Sequence, residues 1–438
     1  MKHAFLALAA VLLLSGVATA QASPPKPLPN PDRPARTPIF HSTGGASISA
    51  NRVCPTLRAV AHRGNRSVGL RVANLRTGKT VCGLNTHARR SLASNNKLFT
   101  VATALDRLGT DHKFRTRVFA DGKVRNGTLT GSLYLKGGGD PSFGTGDFVD
   151  AYLAGVGSEV EKLAAQVKRA GIRRVTGRVY ADDTVFDQLR GVADSGYATS
   201  PWIGPLSGLS FNAGYTSASL SSFSSDPAKL AARTLVRELR SRGVKVQTRI
   251  AKRQTPRAAM KSLVARQISP DMTWMARITN LKSVNFWAET LLKDLGAQVR
   301  SAGTTTEGVK VVRRTMARYG VEVWPIDGSG LTYGNRSTAG DVVKLLIKAR
   351  RQPWGDALLA SLPTAGVDGT LDNRMRGSAA QRRCHAKTGT LTGVSALSGY
   401  CFNKSGRRYA FSILMNDVTN LDAAHRAQDR IAAIIARL

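Results

Sequence analysis

Histidine and cysteine are scarce in this chain, seven and four residues in 438. No C-x-x-C pair occurs, and Cys384 stands directly beside His385, a spacing that suits no common zinc ligand set; no metal is expected. The seven histidines are scattered and there is no G-x-S-x-G elbow, which disfavours a hydrolase built on a Ser-His pair. Long apolar runs are also missing. Residues 4–14 are apolar but too few to span a bilayer, and no later stretch is a transmembrane candidate. No cysteine follows that run as a lipid anchor would need. Gly78-Lys79-Thr80 is no phosphate loop, because Ala73 stands where its first glycine would be. Acid is the last shortage, with 28 Asp and Glu against 64 Lys and Arg, a formal charge of +36. Such a surface suggests a polyanionic partner. The charges are spread along the chain and no nucleic-acid motif appears, so nucleic acid is not expected.

What is present begins with a leader. Met1-Lys2-His3, the apolar run and Ala18-Thr19-Ala20 read as a secretory signal over residues 1–20. Pro24, Pro25, Pro27, Pro29, Pro31, Pro34 and Pro38 make residues 21–45 a proline-rich linker. A periplasmic, extracellular or wall location follows as an expectation. In that setting the available polyanions are envelope polymers, with host composition bias as the competing account of the charge.

Three short patterns then stand in order: Ser94-Asn95-Asn96-Lys97, Ser283-Val284-Asn285 and Lys387-Thr388-Gly389. As S-x-x-K, S-x-N and K-T-G they describe a serine acyl-transfer site with a lysine base. Singly they are weak. Ser23-Pro24-Pro25-Lys26 also fits the first, and Ser49-Ala50-Asn51, Ser94-Asn95-Asn96 and Ser210-Phe211-Asn212 fit the second. Ser23 fails because a Pro-Pro run makes no helix to bring the two groups together. At Ser94 the apolar residues Leu98, Val101, Ala102, Leu105 and Leu108 predict a helix ending at Gly109, with Ser94 and Lys97 on one face at its start. Its unpaired N–H groups suit a developing oxyanion. The alternative is a plain N-cap and a solvated lysine. Lys387-Thr388-Gly389 precedes Gly393 and residues 394–402, which predicts a hairpin whose strand can dock beside a substrate. There Thr388 and Lys387 suit a carboxylate, Gly389 permits close approach, and the Thr390 N–H can join that of Ser94 in an oxyanion hole.

With these residues in place the chain resembles a class C low-molecular-mass penicillin-binding protein, the D-alanyl-D-alanine carboxypeptidase/endopeptidase family. The likeness extends through Gly137-Gly138-Gly139-Asp140-Pro141, Asp182-Asp183-Thr184-Val185-Phe186, Asp327-Gly328-Ser329-Gly330-Leu331, Gly366-Val367-Asp368-Gly369-Thr370-Leu371 and residues 386–400. It selects Ser283 among the S-x-N matches through the flanking Asn280-Leu281-Lys282 and Phe286-Trp287-Ala288-Glu289. The resemblance implies a serine DD-peptidase in which Ser94 attacks, Lys97 is the base, Ser283 relays a proton and Asn285 holds the substrate amide. Lys387, Thr388, Gly389 and Thr390 would hold the rest of the substrate. It implies no cofactor, peptidoglycan stem peptides as substrate, and β-lactams as acylating inhibitors. Two departures stand out. Val284 replaces the usual aspartate, and Thr332-Tyr333 stands where many relatives have a serine and an arginine that meets the diaminopimelate carboxylate, which puts Tyr333 at the substrate. The family's acidic contact to the free amine would fall on Asp182 or Asp183, where the plain reading is a turn residue.

The implied fold is multi-domain α/β: a penicillin-binding/β-lactamase-like transpeptidase domain, an antiparallel sheet flanked by helices, split by a large inserted mixed α/β domain. Between Lys97 and Ser283 lie 185 residues, too many for a simple connection. Residues 46–115 and 273–438 are assigned to the catalytic domain and 116–272 to the insert, which is shorter than in familiar relatives. The four cysteines allow three connectivities; Cys54 with Cys82 and Cys384 with Cys401 keep each bond within one local unit. A catalytically idle wall-binding protein and a β-lactamase are the competing functions.

Overall fold

The computed structural model describes residues 50–438. The expected signal and linker, and Ser23 with them, lie outside the described residues. The first sheet is antiparallel and has five strands: β1 (Val68–Asn74), β2 (Thr80–Leu84), β3 (Cys384–Leu391), β4 (Val394–Phe402) and β5 (Arg408–Asn416). Their order across the sheet is β3-β4-β5-β1-β2, so β1 pairs with a strand from the far end of the chain, Val68 opposite Met415. Both faces are covered, which is why β4 is buried along almost its whole length instead of alternating between core and solvent. Helix α1 (Ala50–Gly64) and helix α4 (Leu421–Ile435) cover one face, packing Leu57, Ala61, Ile431 and Ile435 on Leu397, Phe411 and Ile413. Helix α2 (Lys97–Leu108) belongs to the other side, in the core that takes Ala396, Tyr400, Ala410 and Leu414. Odd and even residues of β4 and β5 thus divide between two cores, as a period of two requires.

Helix α3 (Asn285–Arg300) lies beside α2, with Trp287, Leu291, Leu292 and Leu295 buried. Both sequence-local disulfides are formed. Cys54–Cys82 ties α1 to β2, with Cα atoms 5.0 Å apart, and Cys384–Cys401 joins directly opposed residues of β3 and β4 at 4.1 Å.

A second, mixed sheet of seven strands has its own core, drawn from residues between Val118 and Ala265. Its centre is a hairpin of Arg115–Arg125 and Thr128–Lys136. Asn126 and Gly127 close it with φ of +47° and +78°, the left-handed pair that a two-residue turn needs. Helices Val160–Arg169 and Pro227–Ser241 pack on this sheet. Arg174–Val175 and Val179–Asp182 are two short strands of this sheet. Gly177 separates them where a Cβ would fall 2.5 Å from the Gly131 carbonyl oxygen. Among the described residues no helix is long and apolar enough to cross a membrane.

Candidate active site

Ser94 sits in a 3-10 turn, Ala93–Asn96, that leads into α2, so the α-helix itself begins one turn later, at Lys97. In a 3-10 turn residues i and i+3 eclipse, which brings Lys97 Nζ to 2.9 Å from Ser94 Oγ. Ser94 makes no capping bond. Ala93 enters the turn at φ +44°, a left-handed conformation unusual for alanine, and its carbonyl oxygen approaches so closely that a Cβ on Gly330 would fall 1.9 Å from it.

Lys97 is fully buried, at 0 % exposure. Its Nζ also lies 2.7 Å from Asn285 Oδ1, at the start of α3, and 2.8 Å from the Ser329 carbonyl oxygen. An ammonium would donate to all three oxygens. A neutral amine donates to Asn285 and Ser329 and turns its lone pair to the Ser94 hydroxyl. Burial pushes the Lys97 pKa down to about 7, against the pull of the Glu289 and Asp327 charges. Those carboxyls lie below the lysine. Glu289, one turn after Asn285 on α3, accepts the backbone N–H of Gly328 at 3.0 Å and of Ser329 at 2.6 Å. Asp327 accepts those of Gly330 and Thr332, each at 2.7 Å. Burial, then the Asp327 charge, raises the Glu289 pKa to about 8; burial likewise raises that of Asp327. Near neutral pH Lys97 is thus poised to carry or release one proton.

Lys387 enters from β3 and is also fully buried. It donates to Ser283 Oγ at 2.8 Å and to the Thr388 carbonyl oxygen at 2.9 Å. Burial first, and the Lys97 charge second, hold its pKa well below the ordinary lysine value. Ser283 adopts φ +57°, a second strained non-glycine residue in the site. Asn95 Nδ2 donates to the Lys387 carbonyl oxygen at 3.1 Å and ties the Ser94 turn to β3. Gly389 is required there, since a Cβ would fall 2.9 Å from Leu92 O and 3.1 Å from the Ser94 nitrogen.

β3 is the edge strand, and its outer edge is only partly closed. Cys384 O accepts Ala365 N and Ala386 N donates to Pro363 O, both at 2.9 Å. With a period of two, the N–H groups of Thr388 and Thr390 face the same side, beyond the closed part and next to Ser94. Thr370 and Thr388 hydroxyls are 2.7 Å apart.

The structure therefore brings together Ser94, Lys97, Ser283, Asn285, Lys387 and the Thr388–Thr390 edge. Tyr333 stands at the rim, 45 % exposed, its hydroxyl donating to Thr392 O at 3.1 Å. Asp182 and Asp183 touch none of these groups. Both are buried near the second sheet. Asp182 accepts from Lys136 at 2.9 Å, Thr184 Oγ1 at 2.6 Å and Thr255 Oγ1 at 2.6 Å. Asp183 accepts from Arg190 at 3.1 Å and Lys252 at 2.8 Å. Burial would raise the Asp182 pKa, but the hydrogen bonds from Thr184, Thr255 and Lys136 outweigh it and leave a net lowering. Asp182→Asn is therefore expected to cost about 2–3 kcal/mol at neutral pH. That deficit should shrink as the pH falls through the native pKa of Asp182, below the ordinary 3.8, because the wild-type carboxylate is then protonated too. Urea titrations at several pH values measure this, and an unchanged stability with a raised KM would assign Asp182 to the substrate.

The segment between the second sheet and the site was not legible in the sequence. Asp187 pairs with Lys293 of α3, Asp194 accepts the Tyr333 N–H at 3.1 Å, and the Trp202 carbonyl accepts from Asn285 Nδ2 at 3.0 Å. Glu289 carried a usable signal, its i+4 spacing from Asn285. Trp202 carried none.

A comparison with known proteins points the same way. The D-alanyl-D-alanine carboxypeptidase of an Actinomadura species is 32 % identical over 448 residues, covering 84 % of this chain and 81 % of that one. Carboxypeptidase DacB of Mycolicibacterium smegmatis is 28 % identical over 455 residues, 95 % of this chain and 90 % of its own. The crystal structure of penicillin binding protein 4 from Haemophilus influenzae shares the fold, with a TM-score of 0.73 at 18 % identity over 87 % of this chain and 99 % of that one. Residues 57–225 and 215–438 match one family description, and with the lysine-based serine site assembled from both ends of that range, the chain belongs to the D-Ala-D-Ala carboxypeptidase 3 (S13) family.

Proposed function

We propose that the protein is an exported serine DD-peptidase that hydrolyses the terminal D-Ala-D-Ala bond of peptidoglycan stem peptides through an ester on Ser94, and that it opens cross-link peptides by the same chemistry. The observation that carries this reading is the environment of Lys97 Nζ: three oxygens within 2.9 Å, one of them the Ser94 hydroxyl, in a fully buried site. A lysine so placed is a base at neutral pH.

The substrate enters as an added strand along the open edge of β3. Asn285 Nδ2 exchanges the Trp202 carbonyl for the substrate amide carbonyl, and Lys387 and Thr388 receive the terminal carboxylate. Ser94 Oγ bonds to the scissile carbon while its proton passes to Lys97. The carbonyl electron pair moves onto oxygen, which takes the N–H groups of Ser94 and Thr390. The C–N bond then breaks, and the D-alanine nitrogen takes its proton by way of Ser283, which Lys387 holds in place. Water cleaves the ester by the same route in reverse. A β-lactam enters the same path and stops at the ester. In this reading residues 116–272 form a separate inserted unit, and the basic surface holds the enzyme to anionic envelope polymers.

Peptide mapping of the protein after exposure to penicillin tests the assignment. One adduct is expected, on the peptide carrying Ser94, with D-alanine released from an unlabelled control incubated with a D-Ala-D-Ala peptide. An adduct elsewhere, or no release, would remove Ser94 from its role. Digestion of defined cross-linked muropeptides separates endopeptidase from carboxypeptidase action.

A further inference from the structure

Away from the catalytic groove, a cleft of about 730 Å³ opens at the other end of the β3–β4 hairpin. At about 3.3 Å per residue, Cys384 at that end lies about 10 Å from Lys387. The walls are the segment before β3 (residues 377–383), the turn between β4 and β5 (residues 403–407) and the residues after α4. Five of its lining residues are cationic, Arg382, Arg383, Lys404, Arg407 and Arg437, and none is Asp or Glu.

Some basic side chains elsewhere on this protein meet acid, as in the pairs Arg374–Asp429 and Arg350–Asp356. Arg382, Arg383, Lys404 and Arg437 have no carboxylate within 4.0 Å among the described residues. Bringing like charges onto one concave wall raises the energy of the empty cleft and rewards an anion that enters it. The walls are also built. The Cys384–Cys401 disulfide clamps the first two together, Phe402 N donates to Arg383 O at 2.9 Å, and Arg407 N donates to Asn403 Oδ1 at 2.7 Å. The backbone that carries the cations is thus held in place before any ligand arrives.

We propose that this cleft is an anion-binding exosite that takes a phosphodiester polymer and holds the catalytic domain on it. Arg407 already donates to the Leu438 carbonyl oxygen at 3.2 Å, and three of the other four cations are arginines, whose forked donors match phosphate oxygens two at a time. No aromatic residue lines the cleft, so it offers nothing on which a nucleic-acid base could stack. None of the exposed large apolar side chains lies on its walls either, so it has no anchor for a lipid bilayer. The occupant that remains is a polymer of phosphate groups without bases or acyl chains.

Long-chain inorganic polyphosphate, titrated at several salt concentrations, is the probe. The variant Arg382→Gln/Lys404→Gln removes two exposed charges from the cleft; Arg313→Gln/Arg314→Gln removes two exposed charges from the distant helix Thr305–Arg318. The cleft variant is expected to bind about tenfold or more weakly, with the salt slope reduced by about 2, while the control stays within about twofold of wild type. Both should release D-alanine from a short soluble peptide at the wild-type rate, which separates this site from the catalytic one. Equal losses in the two variants would mean diffuse attraction to the overall charge and would sink the proposal. So would a result in which only binding to phosphatidylglycerol vesicles depends on the cleft pair.

Discussion

Ser94→Ala is expected to reduce D-alanine release to background, a fall of about 10⁴-fold or more, and to abolish labelling by a fluorescent penicillin. The fold should not pay for it. Ser94 is half-buried, caps no helix, and its one side-chain hydrogen bond among the described residues is with Lys97. Thermal unfolding should therefore leave the midpoint within a few degrees of wild type. A variant that is still labelled would place the nucleophile elsewhere, with Ser283 the next hydroxyl to examine, since it too is held by a buried lysine.

Lys97→Ala should cost about 10²–10⁴-fold in acylation, the usual range for loss of a positioned base. Lys97→Arg is the sharper variant: it keeps the charge beside Glu289 and Asp327 but cannot give up its proton near neutrality, so its acylation should be as slow as that of the alanine variant. The pH profile carries the sign. Burial lowers the Lys97 pKa to about 7, so the reactive amine is the form that dominates above that value. Acylation by the wild type should rise as pH increases through about 7, and this limb should vanish in both variants. A flat profile through this range would show that proton removal by Lys97 does not limit acylation.

The meeting of Ser94 and Lys97 was legible in the sequence because spacing constrains it. A serine and a lysine three residues apart must share a helical turn, and the apolar residues from Leu98 to Leu108 supplied the helix; the structure differs only in opening it as a 3-10 turn, because Ala93 enters from the left-handed region. The hairpin around Lys387 was equally clear, since Gly393 separates two strand-like runs. What stayed hidden is what tunes the site. The i+4 spacing puts Glu289 on the face of α3 that carries Asn285, but only tertiary packing buries it and Asp327 and brings their charges to bear on Lys97. The Trp202 carbonyl meets Asn285 through a backbone group that no sequence pattern marks. Asp182 and Asp183 sit where a motif places them, but the direction of a side chain depends on its neighbours, here Lys136, Thr255, Arg190 and Lys252.

The pairing of β1 with β5 bears on when this chain acquires activity. Val68 finds Met415 only after nearly the whole sequence is available, and the strand carrying Lys387 reaches the Ser94 turn through β4 and β5. Contacts this distant along the chain close slowly and late. A partly synthesised chain holds Ser94 and Lys97 without the strand that carries Lys387. Such a chain has no groove to work with, so hydrolytic capacity arrives in one step with completion of the sheet.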